Sequence, residues 1–244
     1  MASSANSEKL SLRTKIGFGL GDIYGGGSGV ITGFYYLYFL TDVMRINPVL
    51  AGTVILISKL YDAVTDPFEG VLTDRTRTPL GRRRPYLLAG IGLVFLSFLL
   101  MWYPAGFPTE TARFIYVIAT YLFFSTVVSI VMTSYNALAS ELTLDYHERT
   151  SLSSIRIFFS TFSSILAAVL PLEIVKLAPD LRTGYLWMGL TFGLFFALPF
   201  LVTFFATRER PEFQKPNVPI NLRAIFVDPF RVRTFVIVVL MYLL

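Results

Sequence analysis

The stretch Ser58-Lys-Leu-Tyr-Asp62-Ala-Val-Thr-Asp66-Pro-Phe-Glu-Gly70-Val-Leu-Thr-Asp74-Arg-Thr-Arg-Thr-Pro-Leu-Gly81-Arg-Arg-Arg84 decides how the rest of the chain is read. Its first half lies in an apolar segment that begins near Ala51 and is long enough to be embedded in a membrane. Lys59, Asp62 and Asp66 recur at i, i+3 and i+7, so a helix places all three on one stripe. A charge at the centre of a bilayer costs roughly 2.5–3.5 kcal/mol on insertion scales, so this stripe faces a polar cavity or a protein interior. Pro67 has no N–H, which frees the Ala63 carbonyl and disfavours ideal helix at Asp66. Two carboxylates one turn apart, beside a freed carbonyl, make an oxygen-rich site suited to a hard monovalent cation or a proton. The second half, Asp74 to Arg84, is a short basic loop.

Working outward, the 244 residues are 54% hydrophobic, 16% aromatic and only 15% charged, far from the balance of a soluble domain. The net charge of +5 would suit a nucleic-acid partner, but the basic residues fall in short loops between apolar runs. That distribution is membrane topology, and no nucleic-acid partner is expected. There is no cysteine, which excludes disulfides and thiolate metal sites. His147 is the single histidine; it sits in a polar loop and reads as a solvated residue. No cofactor is expected, and no metal beyond a sodium ion at Asp62 and Asp66. The polar N-terminus, Met1 to Arg13, lacks the apolar core and cleavage site of a secretory signal, so the first span is read as an uncleaved anchor.

Six apolar spans are expected at about 16–40, 51–72, 85–104, 112–140, 152–175 and 184–207, with a seventh beginning near Phe230. This gives an all-α, polytopic reading: a six-helix bundle over 1–207, a linker over 208–229, and the start of a further helix over 230–244. The polar, proline-containing run after Thr207 carries the linker, and Asn221 to Phe226 is read as a short amphipathic helix on the membrane surface. Lysines and arginines crowd one side of the membrane, with Lys9 to Lys15, Arg75 to Arg84, Arg149, Arg156 and Arg208 to Arg233. Only Arg45, Arg113, Lys176 and Arg182 fall on the other. The basic side is cytoplasmic by this rule, so the N-terminus lies inside and the localisation is the plasma (inner) membrane.

The first span repeats glycine at 17, 21, 25, 29 and 33. Such a stripe admits either close helix packing or a ligand path beside Asp22 and Gly25 to Gly29. Trp102 and Tyr103 end the third span, where an aromatic belt would sit at the outer interface. The fourth span carries Ser125, Thr126, Ser129, Thr133 and Ser134, which in membrane helices usually bond their own backbone or a neighbour. Asn136 has no such easy local partner and is the better candidate for substrate contact. Arg156 stands one turn into the fifth span, positioned either to snorkel or to meet a carboxylate in a central cavity.

Three stretches together carry a resemblance: Gly17-Phe-Gly-Leu-Gly-Asp22 with Tyr38 to Val43; Lys59 to Pro67 with Gly70, Asp74, Arg75 and Gly81-Arg-Arg-Arg-Pro85; and Tyr135-Asn-Ala-Leu-Ala-Ser-Glu-Leu-Thr143 with Asp145 to Thr150 and Arg156. They resemble the major facilitator superfamily, and more narrowly its glycoside-pentoside-hexuronide:cation symporter group, the melibiose-carrier-like transporters. The resemblance implies cation-coupled symport of a sugar or glycoside, with Asp62 and Asp66 holding the cation. It places Asp22 and Arg156 on the sugar cavity, which Asn136 joins on the reading above, with Lys59, Gly26, Ser129 and Thr133 in support. Gly70, Asp74, Arg75, Gly81, Arg82 and Arg83 would form the cytoplasmic motif. Two positions depart from melibiose-type carriers: Gly26 stands where they place a sugar-binding aspartate, and Met132 where they carry an acidic residue, so melibiose is not the expected sugar. Family members have twelve helices with the site between two halves, which implies a second half as partner. Two rivals stand beside this reading: a half that only binds partners in the bilayer, and a carrier of a lipid or drug-like substrate on the same fold. A membrane enzyme is not expected, because Asp42, Glu110 and Asp180 are single and scattered in short outer loops.

Overall fold

A computed structural model describes residues 9–209 and 228–243 of the chain. The first compact unit ends at Phe213 and consists, over its described residues, of helices. α1 (Leu12–Leu20) and α2 (Asp22–Tyr38) follow one another across Gly21, and a π-helical turn (Phe39–Val43) continues them. Then come α3 (Pro48–Arg75), α4 (Arg84–Trp102), α5 (Glu110–Leu142), α6 (Tyr146–Lys176) and α7 (Leu181–Ala206). The second unit begins at Gln214; its described part is a 3-10 turn (Asp228–Arg231) and α8 (Arg233–Leu243). Most of the expected linker, with Asn221 to Phe226, lies outside the described residues.

The five helices α3 to α7 are each long and apolar enough to cross a membrane. The expected first span instead divides at Gly21, where the Gly21 N–H turns back to the Phe18 carbonyl at 3.1 Å and tightens the turn. The position is crowded: a Cβ on Gly21 would lie 2.6 Å from the Tyr135 ring and 2.9 Å from Thr203 Oγ1. Side chains close most helix starts. Asn47, Thr109, Asp145 and Asp180 each accept from a backbone N–H two or three residues on, at 2.9, 3.2, 2.9 and 3.0 Å respectively. Pro48 and Pro85 stand in first turns, where a missing N–H costs nothing. Pro67 lies within α3, and the helix runs through it.

Packing pairs α2 with α6, α3 with α5, and α4 with both α5 and α7. If spans one to three are exchanged with spans four to six, the α2–α6 and α3–α5 pairs swap and α4–α7 maps onto itself. That is the pattern of two inverted three-helix repeats. Lipid is as apolar as leucine, so close packing rather than water exclusion holds such helices together. Aromatic rings provide much of it here. Tyr36, Phe39, Phe98, Trp102, Tyr185 and Phe196 are buried in one cluster, with Trp102 stacked 5.8 Å from Tyr185 and edge-on to Tyr36 at 5.4 Å. Trp102 is therefore a core residue and not part of an aromatic belt; only Tyr103 of that pair is exposed. On α3 the outward stripe Leu56, Leu60, Val64 and Leu72 is exposed, opposite the charged stripe.

Candidate functional site

A cavity of about 560 Å³ lies among α2, α3 and α5. Lys59, Asp62 and Asp66 line it from α3, and Ser125, Ser129 and Asn136 from α5. The i, i+4 repeat of the two aspartates is matched by an i, i+4 repeat of serines on the neighbouring helix α5. Ser125 Oγ donates to Asp62 Oδ1 at 2.5 Å, and Ser129 Oγ donates to Asp66 Oδ1 at 2.6 Å. Lys59 Nζ stands 3.4 Å from Asp62 Oδ2, with its side chain 70% exposed. Met132 and Thr133 complete the α5 wall.

Glu69 extends the stripe, and the sequence reading does not include it. It is buried, and its Oε2 has no hydrogen-bond partner among the described residues. The available signal is spacing: 62, 66, 69 and 73 follow i, i+4, i+7, i+11 on one helical face. Thr73, the last of these, is buried and accepts from Arg83 Nη1 at 3.0 Å. The polar face of α3 therefore continues from the cavity to the basic loop. Among the described residues no three His, Cys, Asp or Glu side chains are arranged to hold a metal ion.

A second constellation adjoins the first. Arg156 Nη2 lies 3.1 Å from Asp22 Oδ1 and donates to Asn136 Oδ1 at 2.8 Å. The guanidinium sits 4.9 Å from the centre of the Tyr135 ring, whose hydroxyl donates to the Phe18 carbonyl at 2.8 Å. Arg156 therefore turns into the protein and does not snorkel. Asp22 and Arg156 are not in the cavity wall; Asn136 belongs to both groups and joins them.

The glycine stripe splits between its two readings. A Cβ on Gly17 would lie 2.2 Å from Ala206 Cβ, so the N-terminal end of the stripe packs helices together. Gly29 and Gly33 have open space and line the cavity. A repeat of four drifts about 40° per step around a helix of 3.6 residues per turn, which carries the stripe from packing face to cavity. Gly26 is a packing position: a Cβ there would lie 2.3 Å from the Ser160 carbonyl oxygen.

Beyond the C-terminal end of α3, charges form a network. Asp74 pairs with Arg83 Nη2, Arg82 Nη2 lies 2.6 Å from Glu141 Oε1, and Arg83 Nε is 3.5 Å from the same oxygen. Arg75 is exposed at the end of the helix. Gly81 has φ +109°, which lets the loop turn so that Arg82, Arg83 and Arg84 N–H all point at the Glu209 carboxylate, at 2.6, 2.6 and 2.7 Å. Gly70, the first residue of the expected cytoplasmic motif, is not at a close approach: a Cβ there would meet open space. Sequence reasoning does not find Glu209, because nothing local links residue 209 to the start of α4. His147 is exposed, beside the Tyr146 ring.

Comparison with known proteins sets these features in a family. The family model described as "MFS/sugar transport protein" matches residues 17–244. An uncharacterized symporter of Synechocystis is 40% identical over 185 residues, covering 74% of this chain and 34% of the relative. YagG of Escherichia coli, named for glycoside/cation symport, is 35% identical over 208 residues, covering 84% of this chain and 45% of the relative. The sodium-dependent lysophosphatidylcholine symporter 1-A of Danio rerio is 28% identical over 170 residues, covering 69% of this chain and 32% of the relative. The chain thus spans about half or less of the length of these relatives. With the match running over nearly all of its residues, the chain belongs to the MFS/sugar transport protein family of membrane transporters.

Proposed function

We propose that this chain forms one half of a cation-coupled symporter for a sugar or glycoside. The observation that carries the reading is the turning of Asp62 and Asp66 into one cavity, each held by a serine of α5 and sharing that cavity with Asn136. With the site empty, two neighbouring carboxylates repel each other, and Lys59 neutralises only one. A sodium ion or proton between them removes the repulsion and lets α3 settle against α5. Asn136 then feels the change directly, and Asp22 and Arg156 feel it through Asn136. Sugar hydroxyls suit these groups, because Arg156 donates while Asp22 and Asn136 offer oxygens. Linkage requires the sugar to raise cation affinity by the same factor that the cation raises sugar affinity, typically ~5–150-fold.

The basic network at Arg75 to Arg84 would lie on the cytoplasmic side with the N-terminus. The exposed apolar stripe of α3 and the open side of the cavity would meet a second six-helix bundle, which a cavity needs if it is to close alternately on two sides. The lysophosphatidylcholine relative supplies the rival substrate class.

The test is uptake into vesicles by the transporter carrying both bundles, under a sodium gradient alone or a proton gradient alone. Labelled glycosides and labelled lysophosphatidylcholine are offered separately. Accumulation of a glycoside under one gradient supports the proposal. Accumulation of lysophosphatidylcholine alone, or equal uptake without any gradient, overturns it.

A further inference from the structure

Where the start of α1 meets the end of α7, two concavities share a wall. One, of about 490 Å³, is almost wholly apolar and is lined by Ile16, Gly17, Leu201, Val202 and Phe205, with Arg13 at its rim. The other, of about 500 Å³, is about half polar, with Arg13, Thr14 and Arg208 beside Leu10 and Leu142 in its lining. Arg13, Phe205 and Ala206 belong to both, so the apolar groove opens into the basic pocket. Backbone contact shapes the groove. α1 and α7 touch where Gly17 meets Ala206, and the larger Ile16 and Phe205 leave a cleft beside that contact.

The pocket carries uncompensated charge. Arg13 and Arg208 are exposed, and neither makes an ion pair within the described residues. The nearby carboxylates are already engaged. Glu148 is held by Lys15 Nζ at 2.9 Å and by the Leu10 N–H at 2.9 Å. Glu209 is held by the three N–H groups of Arg82 to Arg84. Two arginines thus stand at the polar end of a groove whose other walls are apolar and belong to membrane helices. A basic pocket at the interface, continuous with a lipid-facing groove, matches a molecule with an anionic head and a hydrocarbon tail.

We propose that this groove binds one anionic phospholipid, its phosphate between Arg13 and Arg208 and an acyl chain along Ile16, Val202 and Phe205. The site is separate from the cavity at Asp62 and Asp66, and the proposal does not depend on what that cavity transports.

Native mass spectrometry of the purified 244-residue chain tests it, with phosphatidylglycerol and phosphatidylcholine of identical acyl chains. Preferential retention of phosphatidylglycerol is expected. Each arginine near a membrane surface contributes about fivefold in affinity, so Arg13→Gln with Arg208→Gln should reduce retention roughly thirtyfold. The Arg13→Lys and Arg208→Lys pair should keep most of the preference. Val202→Trp, which fills the groove and leaves both arginines, should also lower retention. Equal retention of the two lipids by the parent chain overturns the proposal, whatever the variants do. So does an unchanged preference in a Gln pair that keeps its helical circular dichroism. Displacement of the lipid by inorganic phosphate at the same concentration would mean a site for the head alone, and would also overturn it. Alkylation of Phe205→Cys should be slowed by added phosphatidylglycerol. Full protection without lipid would mean that the chain's own segment 210–227 covers the groove, and the proposal would fall.

Discussion

Ser125 and Ser129 each donate a hydroxyl to an aspartate across the α3–α5 contact, and this pairing sets how the two carboxylates stand in the cavity. A hydrogen bond to a charged group contributes about 1.5–3 kcal/mol when buried, and less for Asp66, which is exposed on the open cavity wall. Ser129→Ala should therefore weaken cation affinity on the order of tenfold, read by cation titration of glycoside binding in the two-bundle transporter. Glycines offer a second residue-scale contrast. Gly26→Ala drives a methyl into the Ser160 carbonyl and should cost about 1–3 kcal/mol. Gly33→Ala meets open space and should be neutral or stabilising by up to about 1 kcal/mol in thermal unfolding. The charged residues of the site are legible in the sequence because burial cost and helical spacing act on them locally. The serine roles are not, since serines at 125 and 129 satisfy local rules equally well by bonding their own backbone. Only the register of α5 against α3 selects the aspartates. Glu69 escapes for the opposite reason: its spacing signal is present, but it lies past Pro67, which perturbs the local helix in sequence terms and which α3 runs through.

At the scale of elements, the start of α4 depends on a residue more than a hundred positions away. Glu209 accepts from three consecutive N–H groups at a helix N-terminus, where the helix dipole favours an anion. Glu209→Ala should speed hydrogen exchange at the amides of Arg82 to Arg84 by on the order of tenfold or more, since about 1.4 kcal/mol corresponds to tenfold and charged hydrogen bonds contribute at least that. Exchange within the middle of α4 should be unchanged. The start of α7 responds to pH instead. The Thr183 hydroxyl and N–H hold the Asp180 carboxyl below the usual carboxylate range. That contribution is present above the unfolded pKa and disappears as pH falls through the lower folded value. Asp180→Asn should therefore lower the thermal midpoint at pH 7, with a gap from the parent that closes below about pH 4. Helix positions are largely legible from apolar runs, whereas the break at Gly21 is not. It arises where α5 and α7 press on the backbone, a tertiary fact. Trp102 shows the same limit: a tryptophan at a span's end reads as a belt residue until neighbouring helices enclose it.

For the whole molecule, the two faces of α3 state the architecture. Leucines are exposed on one face, while charges and hydroxyls face the cavity and run along α3 toward the basic loop. The proposed orientation puts the basic side in the cytoplasm, so Thr78→Cys should resist an impermeant thiol reagent added outside intact cells and react in inside-out vesicles. Ready labelling from outside would reverse the topology. The all-α, polytopic class is legible from composition and span count alone. Which faces meet is not, because helix pairing depends on side chains far apart in sequence. Asp62 and Asp66 are the proposed coupling site, and Asp66→Asn in the two-bundle transporter is the decisive variant. The measurement is glycoside accumulation against its own gradient, driven by an imposed cation gradient, beside equilibrium glycoside binding. Accumulation should be abolished and lose its cation dependence while weaker glycoside binding survives. Accumulation equal to that of the parent, with the same cation dependence, would contradict that assignment.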